Sequence, residues 1–223
     1  MPDGPGDGLE LADVRKRWPG QADDVLAELT FAVRPGEALL IEGRNGVGKT
    51  TLLRIITGLL LADGGRVRLG GLDPATDGHR YRRQVGVLSA GSAGLYARLT
   101  VRQHLEYWAR VAFVPRGERR AAAERVLEEF ALAPLADRRV DRMSMGQRQR
   151  ARLALTFLPR PRLFVLDEPR NSLDDEGLAD LAAAVARHRA GGGMALVCVP
   201  TGEELHLGEA RLAHLDAGRL ELR

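Results

Sequence analysis

The sequence predicts an α/β fold in which a mostly parallel sheet is covered by helices on both faces. Residues 163–166 and 194–199 are continuous apolar runs, and the helical pattern of residues 174–189 lies between them. Strands that are apolar throughout are typical of a parallel sheet buried on both faces, and the intervening helix supplies the crossover. We therefore expect one domain over residues 1–223, with a helical subdomain at about residues 90–160.

The first third of the chain alternates short β-like runs with glycine and proline. The runs cover residues 9–14, 25–33, 37–42 and 66–69. Such punctuation marks the turns between strands. A helical pattern at residues 49–61 lies between the last two runs. A strand, then glycines, then a helix is the layout of a βα unit that binds phosphate.

The middle of the chain changes from strands to helices. A strand-like run at residues 85–89 is followed by a loop rich in Gly, Ser and Ala, and then by helical patterns at residues 101–111 and 118–132. The apolar residues Val101, Leu105, Trp108 and Ala112 recur at helical spacing in the first of these patterns. This spacing predicts a helix with one buried face, and the two helices form the expected subdomain.

Composition narrows the class of protein. With 44% hydrophobic and 28% charged residues, the 223-residue chain is typical of a globular domain. No run approaches the roughly 18 apolar residues that read as a membrane span, and the N-terminus lacks the features of a secretory signal. We therefore expect a cytoplasmic location. The single cysteine, Cys198, excludes an internal disulfide framework, and its apolar neighbours predict a thiol buried in a strand.

Charge and aromatic content bear on the kind of partner. The formal net charge is only +3, and aromatic residues make up 4% of the chain. A nucleic-acid site requires a coherent basic face, and base recognition adds stacking aromatics. We therefore expect no nucleic-acid partner, and we interpret the scattered arginines as solvated helix faces.

Residues 43–50 match the phosphate-binding motif G-x-x-x-x-G-K-[ST] without a mismatch. The glycines allow backbone N–H groups to surround a β-phosphate, and the following helix adds its partial positive charge. We expect Lys49 between the β- and γ-phosphates and the Thr50 hydroxyl on Mg²⁺. Lys49 and Lys16 are the only lysines in a chain that otherwise uses arginine. The predicted ATP-binding residues of this segment are Gly43, Asn45, Gly46, Val47, Gly48, Lys49, Thr50 and Thr51.

Two adjacent carboxylates, Asp167 and Glu168, follow the apolar run of residues 163–166. A buried strand does not end in adjacent acids unless a cationic or polar group meets them. We expect Asp167 to hold Mg²⁺, directly or through water, together with Thr50. Glu168 is expected to polarise the attacking water opposite the γ-phosphate. The predicted catalytic residues are therefore Glu168 and Lys49.

The segment Met143-Ser144-Met145-Gly146-Gln147 lies between these two motifs. It resembles the ABC signature, usually written LSGGQ, because it keeps the serine, one glycine and the glutamine. Residues 172–174, Ser-Leu-Asp, resemble the D-loop of the same family. The order of phosphate loop, helical insert, signature, carboxylates and D-loop covers nearly the whole chain. The chain thus resembles the ATP-binding subunits of ABC transporters, in particular those of small bacterial exporters such as the haem exporters used in cytochrome maturation.

The resemblance implies a fold and a function. The expected fold is a P-loop NTPase core with a mostly parallel sheet, an N-terminal antiparallel β subdomain and a helical signature subdomain. The expected activity is ATP hydrolysis coupled to transport, with ATP and Mg²⁺ as cofactors. The expected partners are an integral-membrane permease and a second ATPase subunit, identical or related, in a head-to-tail dimer. The expected location is the inner face of the cell membrane.

The resemblance also assigns roles to residues outside the two motifs. The signature residues Ser144, Gly146 and Gln147 would face the γ-phosphate held by the other subunit, and Asp174 of the D-loop would lie at the same interface. Trp18 falls where the family commonly stacks an aromatic ring on adenine, although ordinary packing accounts for a tryptophan there nearly as well.

Two positions depart from the family pattern. The family usually has a glutamine soon after the strand at residues 85–89, but this loop reads Ser-Ala-Gly-Ser-Ala-Gly-Leu-Tyr. The family also has a histidine after the strand at residues 194–199, where this chain has Pro200; His206 lies six residues further on. In the same loop as the missing glutamine, Leu95 and Tyr96 fall where the family borders the groove for a helix of the membrane subunit.

These departures leave alternatives to a transport ATPase. One is an ATP-gated structural or regulatory subunit that binds ATP and dimerises with little hydrolysis; the two missing polar side chains favour it, and Glu168 opposes it. Another is an ABC ATPase of repair or translation. Proteins of that kind usually carry coiled-coil inserts or tandem cassettes, and neither is present in this sequence.

Overall fold

The computed structural model describes residues 6–88, 94–171 and 173–223. The strands are β1 (Leu9–Lys16), β2 (Leu26–Val33), β3 (Ala38–Gly43), β4 (Gly64–Leu69), β5 (Val85–Leu88), β6 (Leu163–Asp167), β7 (Met194–Pro200), β8 (Arg211–Asp216) and β9 (Arg219–Leu222). The α-helices are α1 (Lys49–Ile56), α2 (Gly78–Arg82), α3 (Val101–Val111), α4 (Arg119–Glu129), α5 (Met145–Phe157) and α6 (Asp175–Ala190).

The larger sheet has the strand order β5-β6-β7-β3-β8-β9. The first five strands run parallel and β9 runs antiparallel to β8. This confirms the predicted mostly parallel sheet. Because parallel strands end at the same edge, Gly43 at the end of β3 pairs with Pro200 of β7, and Asp167 of β6 pairs with Cys198. The phosphate loop and the two carboxylates therefore meet at one edge of the sheet.

The smaller sheet is antiparallel, with the order β2-β1-β4. Its inward side chains belong to the same apolar cluster as the buried face of α1 and one side of the large sheet. This confirms the predicted N-terminal antiparallel β subdomain. The cluster also contains Cys198, which is fully buried as expected.

Helices α3, α4 and α5 form the helical subdomain and pack on the other side of the large sheet through a second apolar cluster. A run of aromatic rings joins the two parts. The ring centroids of Phe130 and Phe157 are 5.7 Å apart, and those of Phe157 and Phe164 of β6 are 4.2 Å apart. Val101 and Leu105 of α3 are buried, whereas Trp108 and Ala112 are only half-buried.

The structure differs from the sequence prediction at a few elements. Helix α1 ends at Ile56 rather than near residue 61, because Gly58 adopts a left-handed conformation with φ 70° that ends the helix. Helix α2 and strands β8 and β9 were not predicted: α2 and β9 are short, and β8 buries only Ala213 and Leu215, so its apolar pattern is weak. Within the described ranges, none of the helices combines the length and the apolar character needed to cross a membrane.

Candidate functional site

A cleft of about 270 Å³ opens where β3 and β6 end. Eight of the predicted site residues line it: Trp18, Asn45, Gly46, Gly48, Lys49, Thr50, Thr51 and Glu168. Gln21 and Val25 complete the lining. The prediction missed them because they lie in a segment without a motif. They reach the cleft because the segment before β2 packs against the phosphate loop.

Two glycines are required for the shape of the phosphate loop. Gly48 has φ 113°, and a side chain there would place Cβ 2.9 Å from the carbonyl oxygen of Val25. At Gly43, a Cβ would lie 2.7 Å from the carbonyl oxygen of Leu215. Any side chain at either position would displace backbone. The loop is therefore packed closely between β2 and β8, with its turn facing the cleft.

Lys49 is a buried cation at the floor of the cleft, with only 4% of its surface exposed. Its ammonium donates to the carbonyl oxygens of Gly43 at 2.6 Å and Arg44 at 3.2 Å. It also lies 3.6 Å from Oε1 of Glu168. A buried charge is costly unless it is paired, so these three acceptors hold Lys49 in place when no phosphate is bound.

Thr50 and Asp167 form the candidate Mg²⁺ site. The Thr50 hydroxyl donates to Oδ2 of Asp167 at 2.9 Å, and Oδ1 of Asp167 is buried without a hydrogen-bond partner among the described residues. Burial raises the pKa of the Asp167 carboxyl above its ordinary value, and nearby Glu168 adds to this, while the Thr50 hydrogen bond opposes it. Mg²⁺ is usually bound by one or two carboxylates together with substrate phosphates and water. One hydroxyl and one carboxylate with a spare oxygen fit that requirement.

Glu168 is held in a defined orientation at the mouth of the cleft. Its backbone is left-handed, with φ 45°, and its N–H donates to the carbonyl oxygen of Cys198 at 2.9 Å. Oε1 faces Lys49, and Oε2 accepts a hydrogen bond of 2.7 Å from the side-chain amide of Asn171. The prediction missed Asn171, although a polar side chain one turn after a catalytic acid is a usable signal. The left-handed backbone is an uncommon conformation for glutamate, and such strain clusters at functional sites.

Trp18 forms part of the wall of the cleft. Its ring is half-buried, and the ammonium of Lys16 lies 5.5 Å from the ring centroid. Lys16 is held there by Asp63, whose carboxylate oxygen is 2.7 Å away. The ring is therefore fixed beside the phosphate loop with part of its surface open.

The signature residues and the D-loop aspartate lie together but away from this cleft. Ser144 caps α5 by accepting the N–H of Gln147, and the Gln147 side chain accepts the N–H of Ser144 in return. Asp174 caps α6 by accepting the N–H of Gly177 at 2.9 Å. A side chain at Gly146 would place Cβ 3.7 Å from Oδ2 of Asp174, so the two helix starts are neighbours. Neither Ser144, Gly146, Gln147 nor Asp174 lines the cleft.

The remaining predicted positions are placed as follows. Gly43 and Val47 support the loop from behind and do not line the cleft. Pro200 ends β7 beside Gly43, and His206 is exposed beyond it.

In the loop expected to contact a membrane subunit, Tyr96 is 54% exposed and Leu95 is half-buried. The centre of the loop that lacks glutamine, residues 89–93, and Ser172 of the D-loop lie outside the described residues.

Comparison with known proteins gives a consistent result. The sequence family described as "ABC transporter" matches residues 26–171. The cytochrome c biogenesis ATP-binding export protein CcmA of Rhodospirillum rubrum is 40% identical over 197 residues, which cover 86% of this chain and 79% of that protein. The spermidine/putrescine import ATP-binding protein PotA of Acidothermus cellulolyticus is 36% identical over 218 residues, or 96% of this chain and 56% of that protein. A solved structure described as an ATP-binding subunit of an ABC transporter has a TM-score of 0.81 at 27% identity, covering 96% of this chain and 88% of that one.

Proposed function

Because the chain belongs to the ABC transporter family, whose ATP-binding subunits are ATPases, we propose that it binds Mg-ATP in the cleft beside Trp18 and hydrolyses it to drive a membrane permease. One observation supports this above the others. The fold brings Trp18, the phosphate loop with Lys49 and Thr50, and Glu168 to a single cleft. An aromatic ring, a buried cation and a carboxylate match the base, the phosphates and the attacking water of ATP hydrolysis.

The residues divide the chemistry as follows. Trp18 stacks on adenine, and Lys49 exchanges the carbonyl oxygens of Gly43 and Arg44 for the β- and γ-phosphates. Thr50 and Asp167 would hold Mg²⁺, which would supply positive charge beside the phosphates. Glu168 accepts a hydrogen bond from the attacking water. The water oxygen bonds to the γ-phosphorus as the bond to the bridging oxygen breaks, and Glu168 takes up the proton that the water loses, giving ADP and phosphate.

The separation of the signature from the cleft supports a two-subunit site. Ser144, Gly146 and Gln147 sit at the start of a 13-residue helix, where N–H groups and the helix dipole favour an anion. Since they do not line this chain's own cleft, we propose that they cover the γ-phosphate bound by a second subunit in a head-to-tail dimer. Met145, which replaces a glycine of the usual signature, is 74% exposed and so does not fill the helix start.

The permease partner accounts for the exposed loop before α3. Tyr96 is a large exposed aromatic beside half-buried Leu95. We propose that both contact a cytoplasmic helix of the permease, and that residues 1–223 act as one ATPase domain on the inner face of the membrane.

A second candidate is an ATP-gated subunit with little hydrolysis. Pro200 at the end of β7 supports it, because proline offers neither a side-chain donor nor a backbone N–H to the γ-phosphate. The position and orientation of Glu168 favour hydrolysis, which we expect to be slow but measurable.

Phosphate release and ATP-dependent dimer formation, measured for wild type and Glu168→Gln, separate the two candidates. We expect slow release in wild type, and in Glu168→Gln a loss of about 10²–10⁴-fold with ATP trapped in a dimer. An absence of phosphate release from wild type, even with its permease, would favour the ATP-gated subunit. Equal turnover in both proteins would show that Glu168 is not the catalytic base.

A further inference from the structure

A basic groove of about 580 Å³ lies between α3 and α4, away from the ATP cleft. Nearly every side chain that lines it is charged: Arg102, Glu106, Arg110, Arg116, Arg119, Arg120, Ala123 and Glu124. Five arginines face two glutamates, so the groove carries an excess of positive charge. Arg102 is neutralised by Glu124 and Asp137, and Arg119 donates to the carbonyl oxygen of Val114 at 2.8 Å.

The other three arginines of the groove are exposed and uncompensated. Arg110, Arg116 and Arg120 make no ion pair or hydrogen bond to any residue in the described part of the chain. Other exposed arginines of the described chain, such as Arg66 and Arg68 on β4, also lack an ion pair, but these three line one concavity. Three free guanidinium groups around one concavity form a surface suited to phosphate groups.

Large apolar side chains lie outside the groove, on α3 and in the turn that follows it, and Phe113 lines a second cavity with Arg83 and Glu118. Tyr107, Val111 and Phe113 are 45%, 43% and 53% exposed, at the end of α3 and just after it. Phe113 has φ 56°, an uncommon conformation for a bulky residue. Its ring is held outward between His79, at 4.7 Å between centroids, and the guanidinium of Arg83, at 5.7 Å. The exposed aromatic is therefore fixed in place.

This surface is continuous with the loop that we assign to the permease. The rings of Tyr96 and Tyr107 meet edge to face, with their centroids 6.0 Å apart. If Tyr96 contacts a membrane subunit, Tyr107 borders that contact, and the exposed side of α3 that carries Tyr107 and Val111 can face the bilayer around it. The following inference therefore rests on the permease contact in the proposed function.

We propose that Arg110, Arg116 and Arg120, with Tyr107, Val111 and Phe113, form a surface that binds the anionic lipid headgroups of the membrane around the permease. The guanidinium groups bind lipid phosphates, and the apolar side chains enter the boundary between headgroups and acyl chains. Basic residues beside aromatic and aliphatic ones are the combination that holds proteins on anionic bilayers. The surface would hold the subunit close to the bilayer while the ATP cleft opens and closes.

Flotation of the purified chain with phosphatidylcholine vesicles, with and without phosphatidylglycerol, tests this proposal. We expect binding only to vesicles that contain phosphatidylglycerol, and release by salt. The triple variant Arg110→Ser/Arg116→Ser/Arg120→Ser should bind roughly 100-fold more weakly, at roughly fivefold per arginine. The matched control Arg66→Ser/Arg68→Ser/Arg219→Ser removes the same charge from exposed residues on β4 and β9, and should bind like wild type.

Separate measurements test the role of the apolar side chains and the alternative ligands. Tyr107→Ser/Phe113→Ser should weaken vesicle binding and leave its salt dependence intact. Equal binding by the basic triple variant and its control would overturn the proposal, as would equal binding to both kinds of vesicle. Binding of a short RNA that requires the three arginines, without binding to anionic vesicles, would overturn it as well. ATP hydrolysis by the same samples reports on the proposed function separately, because these residues are remote from the cleft.

Discussion

The side-chain amide of Asn171 donates a hydrogen bond of 2.7 Å to Oε2 of Glu168. The other carboxylate oxygen of Glu168 faces the Lys49 ammonium at 3.6 Å. The proposed catalytic carboxylate is thus held from both sides. If Lys49 binds phosphates as proposed, Asn171 is the remaining side chain in the described structure that holds Glu168.

Asn171→Ala is expected to lower kcat about tenfold or more and to leave the KM for ATP nearly unchanged. A hydrogen bond to a charged group contributes about 1.5–3 kcal/mol, and here it orients the base without touching ATP. Asn171→Ser, which keeps a shorter donor, should lose less. Steady-state phosphate release gives both constants; a rise in KM at constant kcat would show that Asn171 acts in binding instead.

Lys49→Ala is expected to remove measurable affinity for Mg-ATP. Lys49 is the only cationic side chain that lines the cleft among the described residues, and its loss also leaves Glu168 facing the phosphates. Titration with a fluorescent ATP analogue measures the affinity, and thermal unfolding checks that the variant folds. Lys16→Ala, which changes the other lysine of the chain, should still bind inorganic triphosphate. Unaltered nucleotide binding by Lys49→Ala would refute the assignment.

Trp18→Ala is expected to weaken ATP binding by roughly 5- to 150-fold, since stacking of one base contributes about 1–3 kcal/mol. Trp18→Phe should retain most of the affinity. Inorganic triphosphate has no base, so its affinity should be the same in wild type and Trp18→Ala. If both ligands lose affinity together, Trp18 supports the loop by packing rather than by stacking on adenine.

A cysteine at position 96 is expected to cross-link to a membrane subunit in complexes isolated from membranes. The native Cys198 is fully buried, and burial raises the pKa of its thiol well above the ordinary value, so the background reaction is slow. Leu222→Cys gives a matched control, because Leu222 is similarly exposed but lies on the edge strand β9. Repeated failure of position 96 to capture a membrane protein would count against the proposed permease contact.

His104 is expected to make stability depend on pH. The side chain is buried, Nδ1 lies 2.8 Å from the carbonyl oxygen of Thr100, and Nε2 accepts the N–H of Tyr96 at 2.7 Å. Burial lowers the pKa of His104 below its ordinary 6.5, against the opposing effect of the Thr100 hydrogen bond. Folding therefore favours the neutral ring. Its contribution is complete above about pH 6.5 and is lost as the pH falls through the lowered value.

Urea unfolding at pH 7.5 and pH 5.5 measures this effect. The midpoint of wild type should fall at the lower pH, and that of His104→Gln should fall less. His188 also has a pKa lowered by burial, so part of the dependence should remain in that variant. His206→Gln, which changes an exposed histidine, should behave like wild type. An unchanged pH dependence in His104→Gln would contradict the assignment.

The sequence was sufficient for the core of the fold because its signals are local. Continuous apolar runs identified β6 and β7, and the helical spacing of Val101 and Leu105 identified α3 with its observed bounds. The phosphate motif identified the loop and α1, because glycines at these positions followed by a lysine at the helix start are rare outside phosphate-binding loops. Of the elements it missed, β9 and α2 are short and β8 is half-exposed; β8 forms by pairing with β3, and β9 by pairing with β8.

The sequence by itself determined which residues we propose for the chemistry: Lys49, Thr50, Asp167 and Glu168 follow from motifs in which neighbours along the chain act together. Only the tertiary structure decided which distant residues share a site. It placed Trp18 and Glu168 in one cleft and left Ser144 and Gly146 outside it. It joined Asn171 to Glu168 and gathered Arg110, Arg116 and Arg120 into one groove. The physical reason is that parallel strand order and helix packing set these distances, and neither is encoded in any short segment.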